Sequence, residues 1–115
     1  MPFGHIEDLE NKVVNNPQAD KAKMRVLVGP NEGWDSHVMR VFEVEAGGYT
    51  PKHQHDWPHI NYILEGEGTL LIEGELQTIK AGHYAYIPSN TLHQFKASDH
   101  TGIKFICMVP KENHY

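Results

Sequence analysis

The chain has 115 residues, a formal net charge of −5 and 39% hydrophobic residues, enough for one domain with a modest core. The acidic balance argues against nucleic-acid and anionic-membrane partners, which call for a basic face, and no apolar run approaches the ~20 residues that span a bilayer. The single cysteine, Cys107, excludes an intrachain disulfide framework; with a start, Met1-Pro2-Phe3-Gly4-His5, that lacks signal-peptide regions, the expected compartment is a reducing cytoplasm.

Residues 1–22 are polar and weakly patterned, and Asn15-Asn16-Pro17 breaks any helix there. They read as an N-terminal arm, extended apart from a short helical turn within Ile6–Val14. From Lys23 the period is two: Met24, Val26 and Val28 alternate with Lys23, Arg25 and Leu27 before Gly29-Pro30 turns the chain. His37–Glu45 is the next strand, with Val38, Arg40, Phe42 and Val44 on one face and Met39, Val41, Glu43 and Glu45 on the other. Ala46-Gly47-Gly48 is expected to end it. A strand over His59–Leu64 is expected to close at Glu65-Gly66-Glu67-Gly68. Thr69–Ile72 and Leu76–Ile79 flank Glu73-Gly74-Glu75 as a hairpin. Tyr84–Ile87, Leu92–Lys96 and Ile103–Val109 complete the set, punctuated by Pro88, a polar loop over Ala97–Gly102, and Pro110.

Short strands in such number, with Gly and Pro in the turns and no long helix, make an all-β sandwich or barrel, placed over residues 23–110 with a tail at 111–115. A small barrel of this kind encloses side chains or one small ligand. Several strands are apolar on both faces; in one, Ile60, Tyr62 and Leu64 lie opposite His59, Asn61 and Ile63. That pattern predicts an outer wall covered by a second copy of the chain.

Nine histidines are a surplus for this length. His5, His37, His83, His100 and His114 are scattered and read as surface or packing residues. His53-Gln54-His55 puts two imidazoles on one face of an extended segment, because side chains two apart point the same way. His59 follows the stiff Trp57-Pro58 step, and a barrel brings His93 to it from a remote strand. Four inward imidazoles are costly to bury unpartnered. A metal ion or a dense hydrogen-bond network would satisfy them.

The spacing around these residues carries a family resemblance. Residues 47–66 read Gly47, five residues, His53, one, His55, three, His59, six, Gly66; residues 82–97 read Gly82, five, Pro88, one, Asn90, two, His93, three, Ala97. The two stretches resemble the two motifs of the cupins, with His59 where most metal cupins carry glutamate, Asn90 in place of a glycine and Ala97 in place of an asparagine. His37–Phe42 and Phe105–Pro110 resemble the small, single-domain, four-histidine manganese cupins of thermophilic bacteria. The resemblance implies a jelly-roll barrel, a homodimer, and one divalent transition metal per chain held by His53, His55, His59 and His93. It favours manganese, then iron; nickel or zinc would be acquired in purification. Imidazole chemistry by itself does not choose manganese.

Four neutral ligands leave such a centre at +2, which lowers the pKa of bound water and attracts anions. Strand parity and the resemblance together nominate Phe42, Ile63, Phe95, Phe105 and Cys107 as a mostly apolar pocket, although the phenyl rings also suit plain barrel filling. Arg40 shares a strand face with Phe42 and is expected to meet an anionic ligand at the mouth. Trp57 follows the histidine loop as a lid residue. Two functional classes fit: a metal-dependent oxygenase or dioxygenase for a small organic substrate, and a non-catalytic metal or small-molecule binding or sensing module. A Lewis-acid isomerase or lyase is a third.

Overall fold

A computed structural model of the chain describes residues 2–113; His114, in the predicted tail, lies outside the described residues. Eight strands appear among them, with three short 3-10 turns: β1 (Lys12–Val13), β2 (Asp20–Val28), β3 (His37–Tyr49), β4 (His59–Ile72), β5 (Glu75–Lys80), β6 (Tyr84–Ile87), β7 (His93–Ala97) and β8 (Ile103–Pro110). Every pairing is antiparallel. One layer runs β1-β2-β3-β8-β4-β6, and the other runs from the end of β3 through β7 and the second half of β4 to β5. The ring β3-β8-β4-β7 closes the two layers into a jelly-roll barrel, which removes the edges that an open sheet would leave.

Two strands run where turns were expected. β3 does not stop at Ala46-Gly47-Gly48. Between Val44 and Tyr49 its partner β2 advances only from Ala22 to Asp20, so the glycines form a bulge that bends the strand toward β7. A Cβ on Gly48 would sit 2.6 Å from the Asp20 carbonyl oxygen. β4 likewise passes through Glu65-Gly66-Glu67-Gly68. It pairs with β8 up to Gly66 and with β5 and β7 from Glu67 onward. Gly66 holds φ +84°, and a Cβ there would overlap the Gly102 carbonyl. These glycines serve close backbone approach at barrel corners, not chain reversal.

The N-terminal segment is partly sheet. The expected helical turn is a 3-10 turn at Ile6–Asp8 only, while Lys12–Val13 pairs with Met24 and Lys23, and β2 begins at Asp20, before Lys23. Arg25 explains the docking. Its outward-facing guanidinium is buried because the arm covers it: it meets Glu43 at 2.8 Å, Glu7 at 3.7 Å and the Leu9 carbonyl at 3.3 Å.

The core follows the period of two. β8 alternates strictly, with Ile103, Phe105, Cys107 and Val109 buried. Val38 and Val44 of β3, Ile63 and Leu70 of β4, Ile87 and Phe95 join them. The outer face of β4 is as predicted: Ile60, Tyr62 and Leu64 are exposed while His59, Asn61 and Ile63 are buried.

Candidate metal centre

Three pieces of chain carry the four histidines. His53 and His55 lie in the loop after β3, His59 opens β4 and His93 opens β7. His53 and His93 bond backbone to backbone in both directions, at 3.1 and 3.0 Å, which aligns their side chains on one side of the pair. Asn90, at φ +63°, donates its backbone N–H to the His55 carbonyl. Asparagine tolerates that left-handed conformation, so it fills the usual glycine position without breaking the turn.

The four rings converge. Centroid separations are 4.8 Å for His53–His93, 4.9 Å for His55–His93, 4.8 Å for His59–His93 and 5.3 Å for His55–His59. One ring nitrogen from each of His53, His55 and His93 lies within 4.8 Å of the others. His59 joins through its Nε2, 3.1 Å from Nε2 of His93. Three of the rings are held by acceptors on the opposite nitrogen. Nδ1–H of His55 donates to the Trp57 carbonyl at 2.8 Å, that of His93 to the Thr91 carbonyl at 2.8 Å, and that of His59 to Oδ1 of Asn61 at 2.6 Å. Asn61 is oriented in turn by donating from Nδ2 to the Ile106 carbonyl.

These bonds fix the tautomers. With Nδ1 protonated, each Nε2 presents a bare lone pair to the cluster, and the lone pairs of His59 and His93 face each other at 3.1 Å. A proton between them is disfavoured: burial, then the neighbouring His93, pushes His59 down to about 3. Burial, then His93 and His55, pushes His53 down to about 4. His55 and His93 are also lowered, chiefly by burial. Neutral imidazoles with converging lone pairs and anchored second nitrogens are what a transition-metal site requires, so the cluster fits a metal ion.

A pH prediction follows for metal-free protein. The ordinary imidazole value is near 6.5 and His53 and His59 lie far below it. As pH falls from about 6.5 toward 4, the unfolded chain gains protons that the folded cluster refuses, so stability declines; above that window these groups contribute no slope. Urea midpoints measured on chelator-treated protein at intervals from pH 7.5 to 4.5 should fall through the lower half. A flat profile would contradict the lowered values.

The rings open into a cavity of about 120 Å³. Of the predicted pocket residues, Arg40, Phe42, Trp57, Phe95, Phe105 and Cys107 line it. Ile63 does not. It is buried in the core opposite Phe105, because the barrel interior below the cavity is filled and shares the same strand parity. Trp57 stacks on His55 with ring centroids 4.1 Å apart and planes 2° apart, so it props a cluster ring as well as lining the entrance. Asn61 was not foreseen as a site residue. Its signal was available: a polar residue two positions from His59 on an otherwise apolar inward face. His5, His37, His83 and His100 are exposed.

The cavity walls and the barrel can be placed among known proteins. The cupin domain family model matches residues 40–109. An uncharacterised protein of Methanocaldococcus jannaschii is 34% identical over 91 residues, covering 76% of this chain and 72% of its own. A 1-methylthio-D-xylulose 5-phosphate methylsulfurylase of Rhodospirillum rubrum is 31% identical over 74 residues, 64% of this chain; the match spans only 47% of that enzyme. Among solved structures, the polyketide cyclase RemF of Streptomyces resistomycificus superposes with a TM-score of 0.90 at 30% identity, covering 96% of this chain and 79% of that one. With the family match taking in most of the barrel, β4 and β7 with their histidines included, the chain belongs to the cupin family.

Proposed function

We propose that this cupin is a metal-dependent oxygenase or dioxygenase acting on a small organic substrate. In this reading His53, His55, His59 and His93 hold one divalent transition metal, manganese first and iron second, the order coming from the resemblance to four-histidine manganese cupins. The observation that carries it is the close approach of Nε2 of His59 and Nε2 of His93, 3.1 Å apart on two residues that line the cavity. A bound transition metal supplies Lewis acidity and one-electron redox chemistry there. The chain supplies the rest. Phe42, Phe95 and Phe105 give the substrate an apolar wall, and Trp57 braces the His55 ring. Among the described residues no Asp or Glu lines the cavity, so these walls offer no carboxylate general base. That favours oxidation over proton-transfer chemistry. The buried free thiol of Cys107 suits a reducing cytoplasm.

The test is metal analysis of protein purified without an affinity column, followed by dioxygen uptake with small carbonyls and phenols. About one metal per chain and uptake above the chelated control are expected. The similarity to a polyketide cyclase favours a second reading, in which the metal acts as a Lewis acid only. Turnover at an undiminished rate under argon would establish that reading and sink the first. Tight ligand binding without turnover would leave a binding module.

We also propose a homodimer through the outer face of β4 and β6. Ile60 pairs with Tyr86 and Tyr62 with Tyr84 across these strands, and the four side chains are 54%, 58%, 45% and 83% exposed respectively. An apolar patch of this kind on a small domain asks for a partner. Sedimentation should show a species of about twice 13.1 kDa at micromolar concentration, and Tyr62→Glu should shift it to monomer. A wild-type monomer at that concentration would remove the proposal.

A further inference from the structure

Arg40 projects from β3 into the cavity, with its guanidinium carbon 5.0 Å from the centre of the Phe42 ring. A guanidinium carries five donors in a rigid fork and is charged at every physiological pH. The partners found for it here are sulfur atoms, which accept weakly: Cys107 Sγ at 3.0 Å from Nη2, and Met24 Sδ at 4.0 Å from Nη1. Its Nε is buried without a partner. Arg25, by contrast, has carboxylates at 2.8 and 3.7 Å. Among the described residues no carboxylate forms an ion pair with Arg40, and none lines its cavity. Arg40 is half-buried, and a cation set against apolar walls, with one phenyl face and two sulfur atoms as its partners, is stabilised by an anion brought to it. Four neutral imidazoles do nothing to offset its charge, and a divalent ion among them adds to the excess.

We propose that the missing charge arrives with the ligand: Arg40 selects a small organic carboxylate whose apolar body lies along the phenyl wall. This rests on the metal-centre reading above for what happens to the body of the ligand, not for capture of its carboxylate. Size and shape narrow the class. A cavity near 120 Å³ is comparable to one that holds benzene, so the ligand has on the order of ten heavy atoms. Phe42, Phe105 and Phe95 form a continuous stack, with centroids 5.4 and 4.4 Å apart and adjacent planes within 22° of parallel, so the edges of the stack give the ligand's skeleton an apolar, aromatic wall. One fork matches a carboxylate bidentately. A phosphoester would bring more charge and more acceptors than this single fork satisfies, and among the described residues no lysine lines the cavity. Placement also fits. Cys107 Sγ lies 3.0 Å from Arg40 and 3.6 Å from Nδ1 of His59, so a carboxylate on Arg40 sets its body beside the histidine cluster.

The test is calorimetric titration with benzoate, benzamide and phenyl phosphate, on metal-free and manganese-loaded protein, with metal content measured separately. Wild type should bind benzoate about tenfold or more tightly than benzamide, the scale of one charge-assisted contact. Arg40→Gln should bring that ratio to near one, chiefly by weakening benzoate, while Lys80→Gln, which removes an exposed cation on β5 away from the cavity, keeps the ratio. The wild-type comparison needs no variant to fold. Four results would overturn the proposal: no benzoate binding at millimolar concentration; a wild-type ratio near one; a ratio that survives Arg40→Gln or is lost in Lys80→Gln; or phenyl phosphate binding more tightly than benzoate. The two readings separate cleanly. Protein that takes up no metal yet shows the Arg40-dependent ratio overturns the metal centre and supports this proposal. Protein with one metal per chain and no such ratio does the reverse.

Discussion

His93→Ala is expected to abolish metal binding at the proposed four-histidine centre while leaving the barrel folded. His93 is the ring that each of the other three faces, at centroid separations of 4.8 to 4.9 Å, and its Nε2 meets that of His59. Loss of a residue that only orients a ligand typically costs about 10- to 100-fold in metal affinity, so loss of this central ligand should cost on the order of 100-fold or more. The fold should survive because the link between His53 and His93 is made by backbone groups. The measurements are metal content after equilibrium dialysis against a fixed free-metal concentration, and circular dichroism of the same samples. Wild-type metal content in a folded variant would show that the ion, if any, is held elsewhere. The orienting contact has its own expected effect. Asn61→Leu removes the acceptor that anchors Nδ1 of His59, and should weaken metal binding less than His93→Ala does.

Phe105→Ala should be the most destabilising single change in the barrel. The ring is 2% exposed and lies on β8 between Phe42 of β3 and Ile63 of β4. It stacks on Phe42 and on Phe95, and so joins both layers. Truncating a buried phenylalanine costs about 3–5 kcal/mol, a large part of the 5–15 kcal/mol that holds a typical domain. Chemical denaturation of matched metal-free samples reads the loss directly. A change below about 1 kcal/mol would mean that the barrel collapses around the gap. Because Phe105 also lines the cavity, the variant should accept bulkier ligands than wild type even as it becomes less stable.

Much of this was legible in the chain. Alternation along Val38–Val44, His59–Leu64 and Ile103–Val109 assigned the inward faces correctly, since strand parity depends only on the extended backbone. Parity also placed Arg40, Phe42, Phe105 and Cys107 on the inside. It did not separate the cavity from the filled interior beneath it, which is why Ile63 falls in the core. Depth along a barrel depends on the shear between strands, and periodicity says nothing about shear. Glycine was ambiguous for a similar reason. Gly48 and Gly66 look like turn residues in the sequence, yet each sits where a Cβ would collide with the backbone of a neighbouring segment.

The sequence by itself determined the β class and the alternating faces, because these follow from side-chain order along an extended chain; the four histidines stood out through their number and through motif spacing that resembles the cupins. Only the tertiary structure decided which groups meet across distant strands. It brought Nε2 of His59 within 3.1 Å of Nε2 of His93, 34 residues away. It laid Arg40 against Cys107, 67 residues away, and buried Arg25 beneath the N-terminal segment. Those contacts come from barrel closure and register, which depend on every strand at once. That is why the histidines could be named from the chain, while the uncompensated charge beside them appears only when the barrel is closed.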